Sequence, residues 1–293
     1  MIKSFYTPLL ALIVGLVFID LCGIIGKYLG DIYSTPQLTA FRNLFALLPF
    51  FLILLAKREF LSLYTDLSTK ILLLCTVRGL FLLAMQVFYF LSVINMDFAV
   101  ATTLSFSSPL FIILLSVIFL KEKVGFFRWG AVAIGFIGVV LIMQPTSSIF
   151  TFYSFLPIFA SISWAATNII LRLLPENLSM LKIHFHTFIW ALLGSGLLFL
   201  LTGTYVPIET STHLMLLVLI GFLGGIASLL FIFSYRATSP TILAPFEYFG
   251  IPSSVFLGWF FFSEKPFGQL FPGAILIVVA GLIIVWRENR IRS

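Results

Sequence analysis

Phe119-Leu120-Lys121-Glu122-Lys123 closes one apolar run of this chain, and Phe261-Phe262-Ser263-Glu264-Lys265 closes another, with the glutamates 142 residues apart. A further apolar run follows each. It carries Gly130 and Gly138 in the first case and Gly273 and Gly281 in the second, at a constant offset of 143. Residues 88–143 and 233–285 therefore read as two copies of one unit. Duplication inside an almost wholly apolar chain is the pattern of a transporter built from two halves.

Composition names the solvent. With 61% hydrophobic and 10% charged residues and a mean hydropathy of +1.16, the chain has far less polar surface than a water-exposed globule, in which about a quarter of residues are charged. The solvent is lipid. The net charge of +6 does not point to nucleic acid, because the basic residues sit between apolar runs and act as topology signals. Cys22 and Cys75 fall inside apolar runs, which makes them packing residues rather than a disulfide or metal pair. The N-terminus carries only Lys3 before its apolar run, without a small-residue cleavage pattern, and reads as an uncleaved first span.

A span needs about 20 apolar residues. The chain divides into ten such runs, at about 8–30, 36–56, 71–94, 98–120, 125–143, 153–173, 183–202, 213–235, 240–262 and 267–286. They are too long and too uniformly apolar for barrel strands. One alternating set of connections holds 13 of the 17 Lys and Arg residues, and the opposite set holds only Lys265. Lys27 stands near an outer helix end, and Arg42 and Arg78 stand inside spans. The expected fold is thus all-α and integral to the membrane, with both termini cytoplasmic. Its repeats, 1–145 and 150–288, hold five spans each, an odd number that inserts them upside-down relative to one another. Glu122-Lys123 then lies inside and Glu264-Lys265 outside, each pair tethering or gating its half. The first spans of the halves also match loosely, Lys27 with Arg172 and Ile19 with Trp164.

The residues that carry a family resemblance run along the whole chain. They are Ile25-Gly26-Lys27-Tyr28, Phe41-Arg42-Asn43, Arg78-Gly79 and Ser107-Ser108-Pro109-Leu110-Phe111 in the first half, and Ala244-Pro245-Phe246-Glu247-Tyr248 in the second, with the paired FLKEK and FFSEK endings. Through them the chain resembles the drug/metabolite transporter superfamily, in the branch with two EamA repeats. Lys27-Tyr28-Leu29-Gly30, Arg78-Gly79-Leu80 and Ala244-Pro245-Phe246 look most like the S-adenosylmethionine uptake carriers. Riboflavin uptake and amino-acid export carriers share the same framework. The resemblance implies a ten-helix inner-membrane carrier of small polar metabolites, with a central cavity lined by spans 1, 3, 4, 6, 8 and 9.

Charges deep in a span cost at least about 2.5–3.5 kcal/mol on insertion scales and mark interior function by default. Asp20 lies 12 residues into span one, and Arg78 and Glu247 lie seven into spans three and nine. Asp20 and Glu247 are expected to hold cationic parts of a substrate or to exchange a proton, and Arg78 to clamp a carboxylate. Fixed ion pairs between helices are the alternative. Arg42 is expected to snorkel or to close the periplasmic side. Tyr89, Trp164, Tyr235 and Tyr248 bring rings with polar handles to presumed cavity spans. Trp164 and Asn168 share a helix face, as do Gln86 with Tyr89 and Ser105 with Ser108. Packing between helices would account equally for such groups. Pro109, Pro245 and Pro252, inside spans, are expected to kink them.

No Walker-type loop is present, so no ATP chemistry is expected and energy must come from gradients or exchange. No cofactor or metal is expected. The competing classes are an integral-membrane enzyme and, within carriers, an exporter of amino acids or drugs. The enzyme class lacks a polar loop with clustered His, Asp or Glu, the longest connection being 57–70. A proton or counter-substrate is a candidate partner beside the bilayer, and the protein is expected to be a monomer or a homodimer.

Overall fold

A computed structural model describes residues 6–57, 67–122, 125–143 and 151–292. Among them every regular element is a helix, as lipid demands of any backbone that must satisfy its own hydrogen bonds. The α-helices are α1 (Tyr6–Gly30), α2 (Thr35–Phe45), α3 (Leu47–Lys57), α4 (Thr69–Asn95), α5 (Phe98–Ser105), α6 (Ser108–Phe119), α7 (Phe126–Met143), α8 (Leu156–Leu173), α9 (Met180–Thr202), α10 (Ser211–Ala237), α11 (Pro240–Leu243), α12 (Gly250–Phe262), α13 (Phe267–Leu270) and α14 (Gly273–Arg292). Side-chain oxygens of Ser34, Ser68, Ser179 and Thr210 cap the starts of α2, α4, α9 and α10, each satisfying a backbone N–H that the helix cannot pair itself.

Seven helices among the described residues are long and apolar enough to cross a membrane. Of the other three expected runs, one is broken within the described residues. The run at 240–262 is split by a 3-10 segment, Ala244–Phe249, around Pro245. Those at 125–143 and 267–286 correspond to α7 and to α13 with α14. The run at 98–120 also breaks, at Phe106–Ser107 before Pro109, into α5 and α6. The prolines remove an amide and crowd the preceding turn, so matching breaks occur in the two halves. The breaks touch: a Cβ on Gly250 would lie 2.1 Å from Phe106 Cζ, so only glycine admits that ring.

Packing interleaves the halves. Helix α1 lies along α10, and its counterpart α8 lies along α4; α2 meets α10 as α9 meets α4; α5 meets α12; α7 meets α14. Exchanging the two repeats maps these pairings onto one another. The α7–α14 crossing is made at repeat glycines, where a Cβ on Gly138 would come 2.7 Å from Gly273 O and one on Gly273 2.5 Å from Gly138 O.

Candidate functional site

Glu247 leaves the 3-10 segment and is 1% exposed. Its Oε2 accepts from Ser108 Oγ at 2.5 Å, and its Oε1 from Trp164 Nε1 at 2.8 Å and from the Tyr235 hydroxyl. The donors come from α6, α8 and α10, so three expected site residues meet on a fourth. Asp20, 1% exposed on α1, accepts from Ser253 Oγ of α12. Both carboxylates face one cavity of about 80 Å³, shared with Tyr89, Ser105, Ser108 and Trp164. Met85, Phe106 and Phe231 add apolar wall, and the Trp164 and Phe231 rings meet edge to face with centroids 4.9 Å apart.

Among the described residues no Lys or Arg lies within 4.0 Å of either carboxylate. Neutral hydrogen bonds orient an anion but do not cancel its charge, and buried charges in proteins are ordinarily paired. Two buried acids thus share one aromatic-walled cavity without a basic partner among the described residues.

The remaining expected residues lie elsewhere. Gln86 lines a second, smaller cavity with Arg42, and Tyr89 borders both. Arg78 borders neither cavity; its guanidinium donates to Thr167 O at 3.3 Å and Thr187 Oγ1 at 2.8 Å, fastening α4 to α8 and α9. Asn168 donates to Trp164 O at 3.0 Å one turn back on its own helix. Tyr248 is buried among residues of α5, α7 and α14. Ser105 lines the cavity while donating to Ala101 O. Sequence reasoning missed Thr102, Ser161 and Ser253. Small hydroxyls in apolar runs usually bond their own helix, as Thr102 does to Phe98 O, and only the position of Ser253 directly after Pro252 gave a signal.

The repeated Glu-Lys endings build a second device. Lys121 and Ser263 both adopt left-handed backbone, φ 54° and 55°, a region costing a non-glycine residue roughly 1 kcal/mol or more. The following amides return to Ser116 O and Gly258 O, each at 3.3 Å. At both ends the chain thus aims the next glutamate toward the other half. Glu264 accepts from Lys27 Nζ at 2.9 Å, Phe98 N at 2.7 Å and Ala99 N at 3.0 Å, capping α5 where its own N-cap residue, Asp97, makes no side-chain bond. Lys27 also donates to Met96 O at 2.6 Å and stands over the Phe262 ring. The equivalent Glu122 accepts from Ser239 Oγ, at the start of α11, at 3.4 Å. Among the described residues Glu264 thus accepts three hydrogen bonds and Glu122 one. Lys265 is exposed, and Lys123 lies outside the described residues.

A model of the EamA-like transporter family matches residues 7–144 and again 151–286. The S-adenosylmethionine uptake transporter of Rickettsia felis is 26% identical over 295 residues, covering 100% of this chain and 97% of that protein. A riboflavin transporter of Rhizobium johnstonii is 35% identical over 195 residues, 65% of this chain and 62% of the other's length. The pseudopaline exporter of Pseudomonas aeruginosa is 28% identical over 70% of this chain and 72% of its own. A solved crystal structure aligns over 98% of both chains with a TM-score of 0.74 at 17% identity, a likeness of fold.

Proposed function

The chain belongs to the EamA-like transporter family and is a multi-pass inner-membrane transporter of small metabolites; from this premise we propose that it is a secondary carrier that binds the cationic, flat part of an organic solute between Asp20, Glu247 and Trp164. The observation that carries this is Glu247: a buried carboxylate held by three neutral donors, facing a second acid across one cavity, with no basic partner among the described residues. Tyr89, Ser105, Ser108 and Tyr235 complete the wall or orient the acid. The family match and the transporter names of the relatives favour a carrier over an enzyme.

The solute class that fits is a positively charged metabolite of the S-adenosylmethionine kind, whose sulfonium and ammonium groups suit paired acids. The full-length likeness to the Rickettsia protein supports it. Riboflavin would use the aromatic wall but leaves both carboxylates without a partner. The 80 Å³ cavity is well below the roughly 300–1,000 Å³ of small-molecule sites, so the site widens on binding.

The carrier works by alternating access between two inverted five-span repeats, 1–145 and 150–288, ten spans in all with cytoplasmic termini. Lys27, Glu264 and the start of α5 form the outer gate, with Lys265 beside it; Glu122 and Lys123 form its inner equivalent. Import or export then follows from the gradients. The test is uptake of labelled S-adenosylmethionine, riboflavin and amino acids into proteoliposomes. Glu247→Gln keeps the shape and one acceptor for Trp164 and Tyr235 while removing the charge, so it should abolish transport of the accepted cation at normal membrane yield. Undiminished transport by that variant would overturn the assignment.

A further inference from the structure

Beside the acid-lined cavity lies a void of about 20 Å³ walled by Cys22, Arg42, Gln86 and Phe90; Ile19, Met85 and Tyr89 border both spaces. Arg42 is 4% exposed and Gln86 1%. Among the described residues Arg42 Nη1, both amide atoms of Gln86 and the Tyr89 hydroxyl have no hydrogen-bond partner, although buried polar groups are ordinarily paired. Among the described residues no carboxylate lies within 4.0 Å of the guanidinium. Nor is the group loosely placed. It stands over the Phe90 ring, 6.0 Å from its centroid, and α10 leaves it room only because residue 224 is glycine, where a Cβ would lie 3.1 Å from Nη2.

A buried cation and two further donors around one small space lack an anion. A carboxylate suits them: the planar fork of Arg matches its two oxygens. Arg78 has donors engaged by Thr167 and Thr187 and faces neither cavity. We propose that Arg42, with Gln86 and Tyr89, holds the carboxylate of the transported solute while Asp20 and Glu247 hold its cationic part, so that the carrier selects zwitterions of the α-amino-acid type. This rests on reading the larger cavity as the solute site.

The test uses purified full-length protein and matched pairs differing only in the carboxylate: S-adenosylmethionine and its decarboxylated form, lysine and cadaverine, arginine and agmatine, methionine and 3-(methylthio)propylamine. The wild type should bind at least one zwitterion about 30-fold more tightly than its amine partner, the range expected when a charged hydrogen-bonded group is lost. Arg42→Gln should erase that preference by weakening the zwitterion, with the amine bound as tightly as before or more tightly once a like charge is gone. Arg42→Lys, which keeps a cation in the pocket but not the fork, should keep only a few-fold preference. Gln86→Leu should weaken the preference without touching the buried charge. A merely structural Arg42 would lower the melting temperature and leave the acid-to-amine ratio intact, which overturns the proposal. So would a wild type that binds no zwitterion, or binds each pair equally. If Glu247→Gln abolishes amine binding in that case, the cavity reading stands and only the carboxylate assignment falls.

Discussion

Replacing Glu264 with Ala removes one carboxylate that three donors share. Two backbone amides at the start of α5 lose their acceptor, a loss typically near 1 kcal/mol for an N-cap. Lys27 loses its partner in a place where its side chain is 18% exposed and the carboxylate 6%. Such a pair falls between a surface ion pair, about 0–1 kcal/mol, and a fully buried one, about 3–5 kcal/mol when broken, so about 2 kcal/mol is appropriate. The proposed outer gate then weakens by about 3 kcal/mol, which multiplies the ratio of open to closed protein about a hundredfold at 1.4 kcal/mol per decade. The chain supplies its own probe. Cys22 is 2% exposed, donates to Ile220 O and lines the smaller cavity eight residues from the end of α1. In a Cys75→Ser background it is the sole thiol. A hydrophilic maleimide should label it about a hundredfold faster in Glu264→Ala, and about tenfold faster in Glu264→Gln, which keeps one acceptor. Glu122→Ala, at the other end, should leave the rate equal or lower. A Glu264→Ala rate within threefold of the parent, with the melting temperature maintained, would refute the gate.

Trp164→Leu should raise the Kd of the accepted cation about 5- to 30-fold, the loss of a desolvated cation–π face of about 1–2 kcal/mol, while Trp164→Phe restores most of it; equal losses for neutral and charged solutes would argue that the ring only packs. Arg78→Ala should cost about 2–3 kcal/mol of stability through its two buried hydrogen bonds, seen as a lower melting temperature in detergent with solute Kd within twofold. A raised Kd at unchanged melting temperature would return Arg78 to the solute.

Asp20 and Glu247 were legible in the sequence because a carboxylate deep in a lipid-facing run must have a partner or a purpose. Their convergence was not. Ser108, Trp164 and Tyr235 lie 139, 83 and 12 residues from Glu247, and no local pattern reports which helices meet. The two arginines show the same limit from the other side. Arg42 and Arg78 are the same residue type inside a span, so the sequence ranked them by depth and by the spans that the family resemblance places around the cavity, with Arg78 assigned to the solute. What separates them is tertiary: two threonine oxygens reach Arg78, whereas Arg42 borders a small void and its Nη1 has no partner among the described residues. The Glu-Lys repeat was legible as a repeat, but its cap on α5 was not, since Asp97 is the residue that sequence rules would choose for that task.

The breaks tie the gate to the site. A continuous helix satisfies its own backbone, so it offers neither a loose start to cap nor a turn that carries a carboxylate into a cavity. Breaking the run at Phe106–Ser107 leaves α5 as a rod of eight residues, about 12 Å long, with Glu264 bonded at one end and Thr102, Ser105 and Phe106 on the cavity at the other. A helix that short moves as a unit. A solute widening an 80 Å³ cavity must press on Phe106, which has no slack against Gly250. An ångström of movement there is an ångström at Phe98 N, enough to take bonds of 2.7–3.0 Å beyond hydrogen-bond range. The maleimide rate at Cys22 reads this coupling directly: it should rise when the solute is added to the wild type and cease to respond in Glu264→Ala. A rate indifferent to solute in both proteins would mean that site and gate move independently.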